Sequence, residues 1–165
     1  MRILLVDDHQ IMREGLRRML ELEPDMEVVG EAASAEEAMA QVEQLSPEII
    51  LMDIKMPGTD GIELTRRLKE KKPDCSIVML TLYDEYLTEA IEAGAVGYLL
   101  KDIKREELVR SIRAVYQGRS ALDLSLSRDL LTDFATSAKG KETQQYLSER
   151  ELTILRLIGS GATTR

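Results

Sequence analysis

Residues 48–61 read E-I-I-L-M-D-I-K-M-P-G-T-D-G. Four apolar residues, Ile49 to Met52, stop at Asp53; a Pro-Gly loop follows, then a helical stretch from about Gly61 to Lys71. A short apolar run bounded by turn signals reads as a strand buried on both faces. The same unit recurs in both directions along the chain. Toward the N-terminus, Arg2–Val6 is an apolar strand ending in Asp7-Asp8-His9, and Gln10–Leu22 carries Ile11, Met12, Leu16, Met19 and Leu20 near helical spacing. Met26–Glu31 is a weaker, mixed strand. Ser34 opens the next helix with Glu37 three residues on, a capping box, and that helix runs to about Leu45, before Ser46-Pro47. Toward the C-terminus, Ser76–Leu80 ends at Thr81, and a helix from about Glu85 to Ala93 closes at Gly94. Val96–Leu100 runs into Lys101, and the helix Lys104–Gln117 is followed by Gly118.

Five strand–helix pairs in succession predict an α/β domain: a doubly wound, five-stranded parallel sheet with helices on both faces, ending near Gly118. In such sheets chemistry sits at the carboxyl ends of the strands. Those ends hold Asp7, Asp8 and His9 after the first strand, Asp53 after the third, Thr81 after the fourth and Lys101 after the fifth. Three carboxylates gathered at one edge repel one another and call for a cation. Oxygen donors suit a hard divalent ion such as Mg²⁺, which keeps waters and is often completed by a phosphate. Lys101 offers that phosphate a point charge, and Thr81 a hydroxyl. Together they describe phosphoryl transfer to a carboxylate. A lone aspartate at a strand end is ordinarily a turn or cap residue; the five groups together make the site.

Composition agrees. Of 165 residues, 44% are hydrophobic and 32% charged, enough for a core and a solvated surface rather than a disordered chain. Only 4% are aromatic, so the core is aliphatic. No apolar run approaches the ~18 residues of a membrane helix, so no membrane role is expected. Cys75 is the only cysteine, which excludes an internal disulfide or a cysteine zinc site, and the chain reads as cytoplasmic. The net charge is −8; residues 119–165 hold seven Lys/Arg and six Asp/Glu, a net of +1, which leaves −9 on residues 1–118. An acidic body repels nucleic acid, whose binding rests on Lys and Arg at phosphates.

The motifs I-L-L-V-D-D-H (3–9), I-I-L-M-D-I-K-M-P-G-T-D-G (49–61), V-M-L-T (78–81) and A-G-A-V-G-Y-L-L-K-D (93–102), in this order, resemble the receiver domain of a two-component response regulator of the NarL/LuxR type. The resemblance implies a flavodoxin-like sheet of order 2-1-3-4-5 over residues 1–118. It implies that Asp53 is the phosphoacceptor, served by a sensor histidine kinase. Mg²⁺ would be held by Asp8, with Asp7 supporting, Asp53 contributing and the Lys55 backbone carbonyl completing the protein ligands. Thr81 and Lys101 would bind phosphoryl oxygens, and the Tyr98 rotamer would follow Thr81. Lys55 and Tyr83 occupy the positions that flank the phosphoryl group, where a bulky Tyr83 would restrict attacking water. The output implied is dimerisation, or release of a DNA-binding domain. One departure is that Asp102, not proline, follows Lys101, which leaves the geometry of that peptide open.

Residues 119–146 read as a linker, with Asp123–Phe134 as a short amphipathic helix. Residues 147–165, L-S-E-R-E-L-T-I-L-R-L-I-G-S-G-A-T-T-R, resemble the opening of a LuxR-type helix-turn-helix domain, with Ser148 and Glu151 as a capping box. No recognition helix follows, so this segment reads as a truncated domain. Promoter DNA is then a partner of the complete C-terminal domain and not of these 165 residues.

Rival readings remain. A phosphatase with an aspartate nucleophile would place nucleophile and acid two residues apart after the first strand, whereas Asp7 and Asp8 are adjacent. A flavin-binding module would need a phosphate-cradling loop there. A degenerate receiver, acting as a phosphorylation-independent interaction module, would have lost Asp53, Thr81 or Lys101. His9 reads as a polar residue opening a helix beside the acids, Cys75 as a small core residue, and the eight methionines as core filler.

Overall fold

The computed structural model describes residues 1–122, together with Leu126 and Arg156. Strands and helices alternate: β1 (Arg2–Val6), α1 (Gln10–Glu21), β2 (Glu27–Ala32), α2 (Ala35–Leu45), β3 (Ile49–Met52), α3 (Gly61–Lys71), β4 (Ser76–Thr81), α4 (Leu87–Ala93), β5 (Gly97–Leu100), α5 (Arg105–Tyr116) and β6 (Ala121–Leu122). The sheet order is β2-β1-β3-β4-β5-β6, and every pairing is parallel.

Side chains alternate across each strand, so the apolar runs feed two cores. Leu4, Val6, Ile50, Met52, Ile77, Met79 and Tyr98 face one side, where they meet Val42 of α2, Leu64 and Leu68 of α3 and Ala90 and Ile91 of α4. Ile3, Leu5, Ile49, Leu51, Val78, Leu80 and Leu99 face the other, against Leu16 and Leu20 of α1 and Leu108, Ile112 and Val115 of α5. The consecutive run I-I-L-M is what a strand covered on both faces requires. Two caps fix helix starts. Ser34 Oγ accepts from the Glu37 N–H at 3.2 Å while Glu37 Oε2 accepts from Ala33 N–H at 2.8 Å. The Asp60 carboxylate accepts from Glu63 N–H at 2.9 Å and starts α3.

The expected order of the first five strands holds, but the sheet has six strands, not five. Ala121 and Leu122, within the stretch read as linker, pair beside Gly97 and Tyr98, and Ala121 N–H donates to the Val96 carbonyl at 3.0 Å. Two residues carry no periodicity, so the sequence could not announce this strand. Gly97 leaves room for it: a Cβ there would stand 2.9 Å from Val78 Cγ1 and 3.2 Å from the Ala121 carbonyl oxygen. The expected helix at 123–134 and the helix-turn-helix opening at 147–165 lie outside the described residues, except that Leu126 is helical and buried and Arg156 helical and exposed. The described peptide bonds are all trans, that between Lys101 and Asp102 included. Among the described residues no helix is long and apolar enough to cross a membrane.

Gly61 is fixed by close approach. Its N–H donates to the Ile54 carbonyl at 2.8 Å, and a Cβ would lie 2.0 Å from the backbone oxygen of Asp53. Gly15 of α1 has nothing within 4 Å of the same point. Gly61→Ala is therefore expected to cost about 1–3 kcal/mol in overpacking. Gly15→Ala is expected to gain up to about 1 kcal/mol of helix propensity. Urea unfolding of the two variants measures both; equal effects would contradict the packing described at Gly61.

Candidate functional site

β1, β3 and β5 are held in register by backbone bonds that continue to their ends. Asp7 N–H donates to Ala32 O at 3.1 Å, Asp53 N–H to Val6 O at 2.8 Å, and Lys101 N–H to Thr81 O at 2.8 Å. Residues far apart in sequence therefore converge on one edge of the sheet. Lys101 Nζ donates to Asp7 Oδ2 at 2.6 Å and to Asp53 Oδ2 at 3.0 Å. The three side chains are only 4–5% exposed. Asp53 Oδ1 accepts from Ile54 N–H and Asp7 Oδ1 from His9 N–H, both at 2.8 Å, so each carboxylate is fixed at both oxygens.

The electrostatics follow from this burial. Burial pushes the Asp53 carboxyl above its ordinary pKa, with Asp7 adding to the rise, while Lys101 and the Ile54 N–H pull the other way without cancelling it. For Lys101, burial is the largest single influence and lowers the ammonium, but hydrogen bonds to Asp7 and Asp53 outweigh it and hold the pKa above the usual lysine value. Both directions describe a site with too little positive charge for its carboxylates: one ammonium serves Asp7 and Asp53, and Asp8 adds a third acid.

Asp8 Oδ1 is buried and has no hydrogen bond. His9 Nδ1 stands 3.2 Å from it, and 3.0 Å from Asp7 Oδ1, but only the latter contact has hydrogen-bond geometry. A buried, unpaired carboxylate oxygen is costly unless something charged meets it. Asp7, Asp8, His9 and Asp53 each bring one donor atom within 4.8 Å of the others, a cluster that could hold a metal ion. The carboxylates suit a hard cation. His9, 67% exposed, is the group with least claim on the interior.

Thr81 is fully buried at the end of β4, and its Oγ1 accepts from Tyr83 N–H at 3.3 Å. Tyr98 is also fully buried; its hydroxyl donates to the Tyr83 carbonyl, and burial pushes its pKa upward. The ring is thus in its inward position, and the backbone of Tyr83 is gripped at both ends by Thr81 and Tyr98. Lys55 reaches across from the loop after β3, with Nζ 4.4 Å from the Tyr86 ring centroid and 5.9 Å from that of Tyr83. The two rings meet edge to face at 6.0 Å. Contact with Tyr86 raises the Lys55 pKa. Two loops that flank Asp53 are so joined by a cation resting on aromatic faces.

Asp7, Asp8, His9, Asp53 and Lys101 come together as the strand-end argument requires, and Thr81, Tyr83 and Tyr98 form the adjoining chain of hydrogen bonds. Sequence reasoning missed two participants. Tyr86 carries no motif, although its spacing from Tyr83 on the entry to a helix was a usable signal. Arg13 of α1 donates to the main-chain carbonyl of Asp7; it lay hidden among ordinary charged residues of an amphipathic helix.

The family model for the response regulator receiver domain matches residues 3–113. The DNA-binding transcriptional activator DevR/DosR of Mycobacterium tuberculosis is 40% identical over 166 residues, covering 99% of this chain and 76% of that protein. The transcriptional regulatory protein LiaR of Bacillus subtilis is also 40% identical, over 99% of this chain and 79% of its own. Among solved structures, a LuxR-family two-component response regulator from Aurantimonas superposes with a TM-score of 0.78 at 38% identity, covering 81% of this chain and 97% of that one. The converged acids and lysine thus occur in a chain that belongs to the NarL/LuxR-type response regulators and carries their receiver domain.

Proposed function

We propose that Asp53 accepts a phosphoryl group from a sensor histidine kinase in a Mg²⁺-dependent reaction, and that the resulting acyl phosphate switches a DNA-binding transcription-factor domain. One observation carries the reading: Lys101 Nζ bonds both Asp7 and Asp53 beside an Asp8 oxygen that has no hydrogen bond. The Asp53 carboxylate attacks phosphorus, the phosphorus–nitrogen bond of the donor phosphohistidine breaks, and the imidazole leaves with the electron pair. Lys101 already lies at the acceptor oxygen and passes to a phosphoryl oxygen with little movement. Asp7, Asp8, Asp53 and the Lys55 backbone carbonyl would hold the ion. When bound, Mg²⁺ supplies charge neutralisation at the phosphoryl oxygens.

Thr81 Oγ1 accepts from Tyr83 N–H and keeps its own proton to donate, and on this reading the hydroxyl moves toward the phosphoryl group. That alters its bond from Tyr83 N–H, and Tyr98 follows through the Tyr83 carbonyl. Phosphorylation therefore acts on the loop between β4 and α4, a local charge change read out by a movable surface. Homodimerisation on activation, and promoter binding through a LuxR-type helix-turn-helix domain, complete the proposal, with the protein working in the cytoplasm. The tie of Lys55 to Tyr83 and Tyr86 supports a tuning role for Lys55 and Tyr83, because it covers the approach between the two loops.

The test is intact mass after incubation with Mg²⁺ and a small-molecule phosphodonor, beside Asp53→Asn, followed by sizing chromatography. One phosphoryl group on the parent and none on the variant is expected, with a shift toward dimer. No uptake by a folded parent would favour a phosphorylation-independent interaction module instead. In the same assay Tyr83→Ala is expected to shorten the phosphorylated lifetime several-fold by admitting water. An unchanged lifetime would remove Tyr83 from the tuning role.

A further inference from the structure

Arg13 sits one turn into α1 with its side chain 13% exposed. Its Nη1 donates to the main-chain carbonyl of Asp7, and its Nε donates to Glu31 Oε2 of β2 at 3.2 Å. Glu31 is held in turn by Arg17. Burial raises the Glu31 carboxyl, but the two arginines outweigh it, so the pKa is lowered. The guanidinium thus spans from the sheet edge to a single peptide, the one joining Asp7 to Asp8.

That peptide matters because, apart from the exposed His9 ring 3.2 Å from its Oδ1, no side chain of the described residues is shown bonded to the Asp8 carboxylate. Asp7 is fixed by Lys101 and by His9 N–H, whereas Asp8 Oδ1 is buried without a hydrogen bond. The orientation of the Asp7–Asp8 peptide limits where the Asp8 side chain can start, and the Arg13 guanidinium is bonded to the carbonyl of that peptide. We propose that Arg13 is a positioning residue for the cation site: braced on Glu31, it turns the Asp7–Asp8 peptide so that the Asp8 carboxylate faces the pocket. This rests on the Mg²⁺-dependent reading above.

The proposal separates from a simple charge effect by sign. A guanidinium beside a cation site repels the cation, so if Arg13 acted by charge alone its removal would tighten Mg²⁺ binding. If it acts by orientation, its removal weakens binding. Lysine keeps the charge but lacks the planar fork that reaches Asp7 and Glu31 together, so Arg13→Lys does not restore affinity.

The experiment is a Mg²⁺ titration of the whole chain followed by ¹H–¹⁵N spectra, with urea unfolding to confirm that each variant is folded. Arg13→Ala is expected to weaken Mg²⁺ binding by about tenfold or more, as loss of groups that orient metal ligands does, and Arg13→Lys to weaken it similarly. Phosphoryl uptake by both variants should recover at saturating Mg²⁺. Glu31→Gln, which keeps an acceptor for Arg13, is the milder variant and is expected to shift affinity in the same direction by less. Unchanged or tighter binding in folded Arg13→Ala, or parental affinity in Arg13→Lys, would overturn the proposal. If Arg13→Ala does not fold, unchanged affinity in Glu31→Gln overturns it. A parent that binds no Mg²⁺ would instead bring down the reading on which this one rests.

Discussion

The Lys101 ammonium, buried between Asp7 and Asp53, is the interaction on which the functional edge depends. It joins the ends of β5, β1 and β3, whose sequence separations are 94 and 48 residues. Deep ion pairs of this kind are poor sources of net stability, because desolvation consumes most of the attraction. Removing one partner alone is nevertheless costly, commonly about 3–5 kcal/mol, since it strands a buried charge. The arrangement is better understood as a site kept short of positive charge. One lysine serves two carboxylates, burial holds the Asp53 pKa up, and Asp8 keeps an oxygen without a hydrogen bond. A divalent cation would supply the positive charge that set lacks.

The rest of the fold places these charges. Both cores are aliphatic and filled from alternate faces of the same strands, so a slip by one residue in β3 would exchange Ile50 and Met52 with Ile49 and Leu51 and carry Asp53 away from the edge. Gly61 lets the start of α3 lie directly against the Asp53 backbone. On the far side, Thr81 and Tyr98 grip the two ends of the Tyr83 backbone, which ties the loop leading to α4 to the ends of β4 and β5. Lys55, resting on Tyr86, adds a second tie between the loops around the pocket.

Much of this was legible in the sequence because the chemistry sits where the pattern changes. Asp7, Asp53, Thr81 and Lys101 each end an apolar run, and a buried parallel strand is the most readable of strands. The order of the first five strands came from the resemblance to receiver domains, while the alternating pattern gave only a parallel, doubly wound sheet. What escaped had no such boundary. Ala121–Leu122 is too short for a period, and only Gly97 and the partner carbonyls show why a strand fits there. Arg13 acts through a main-chain carbonyl, a contact that depends on three-dimensional approach and leaves no spacing to read, and Tyr86 acts through a ring face that only its spacing from Tyr83 hints at.

On the function proposed, the strand-end acids and Lys101 form a pocket for Mg²⁺ and a phosphoryl group, coupled through Thr81 to Tyr83 and Tyr98. The most direct measurement is a pair of ¹H–¹⁵N spectra, one with Mg²⁺ alone and one with Mg²⁺ and beryllofluoride, a stable mimic of the acyl phosphate. The predicted result is shifts centred on Asp7, Asp8, Asp53, Lys55 and Lys101 with Mg²⁺, spreading to Thr81, Tyr83 and Tyr98 when the mimic is added. Mimic-induced shifts that stop at Asp53, or that arise without Mg²⁺, would contradict it.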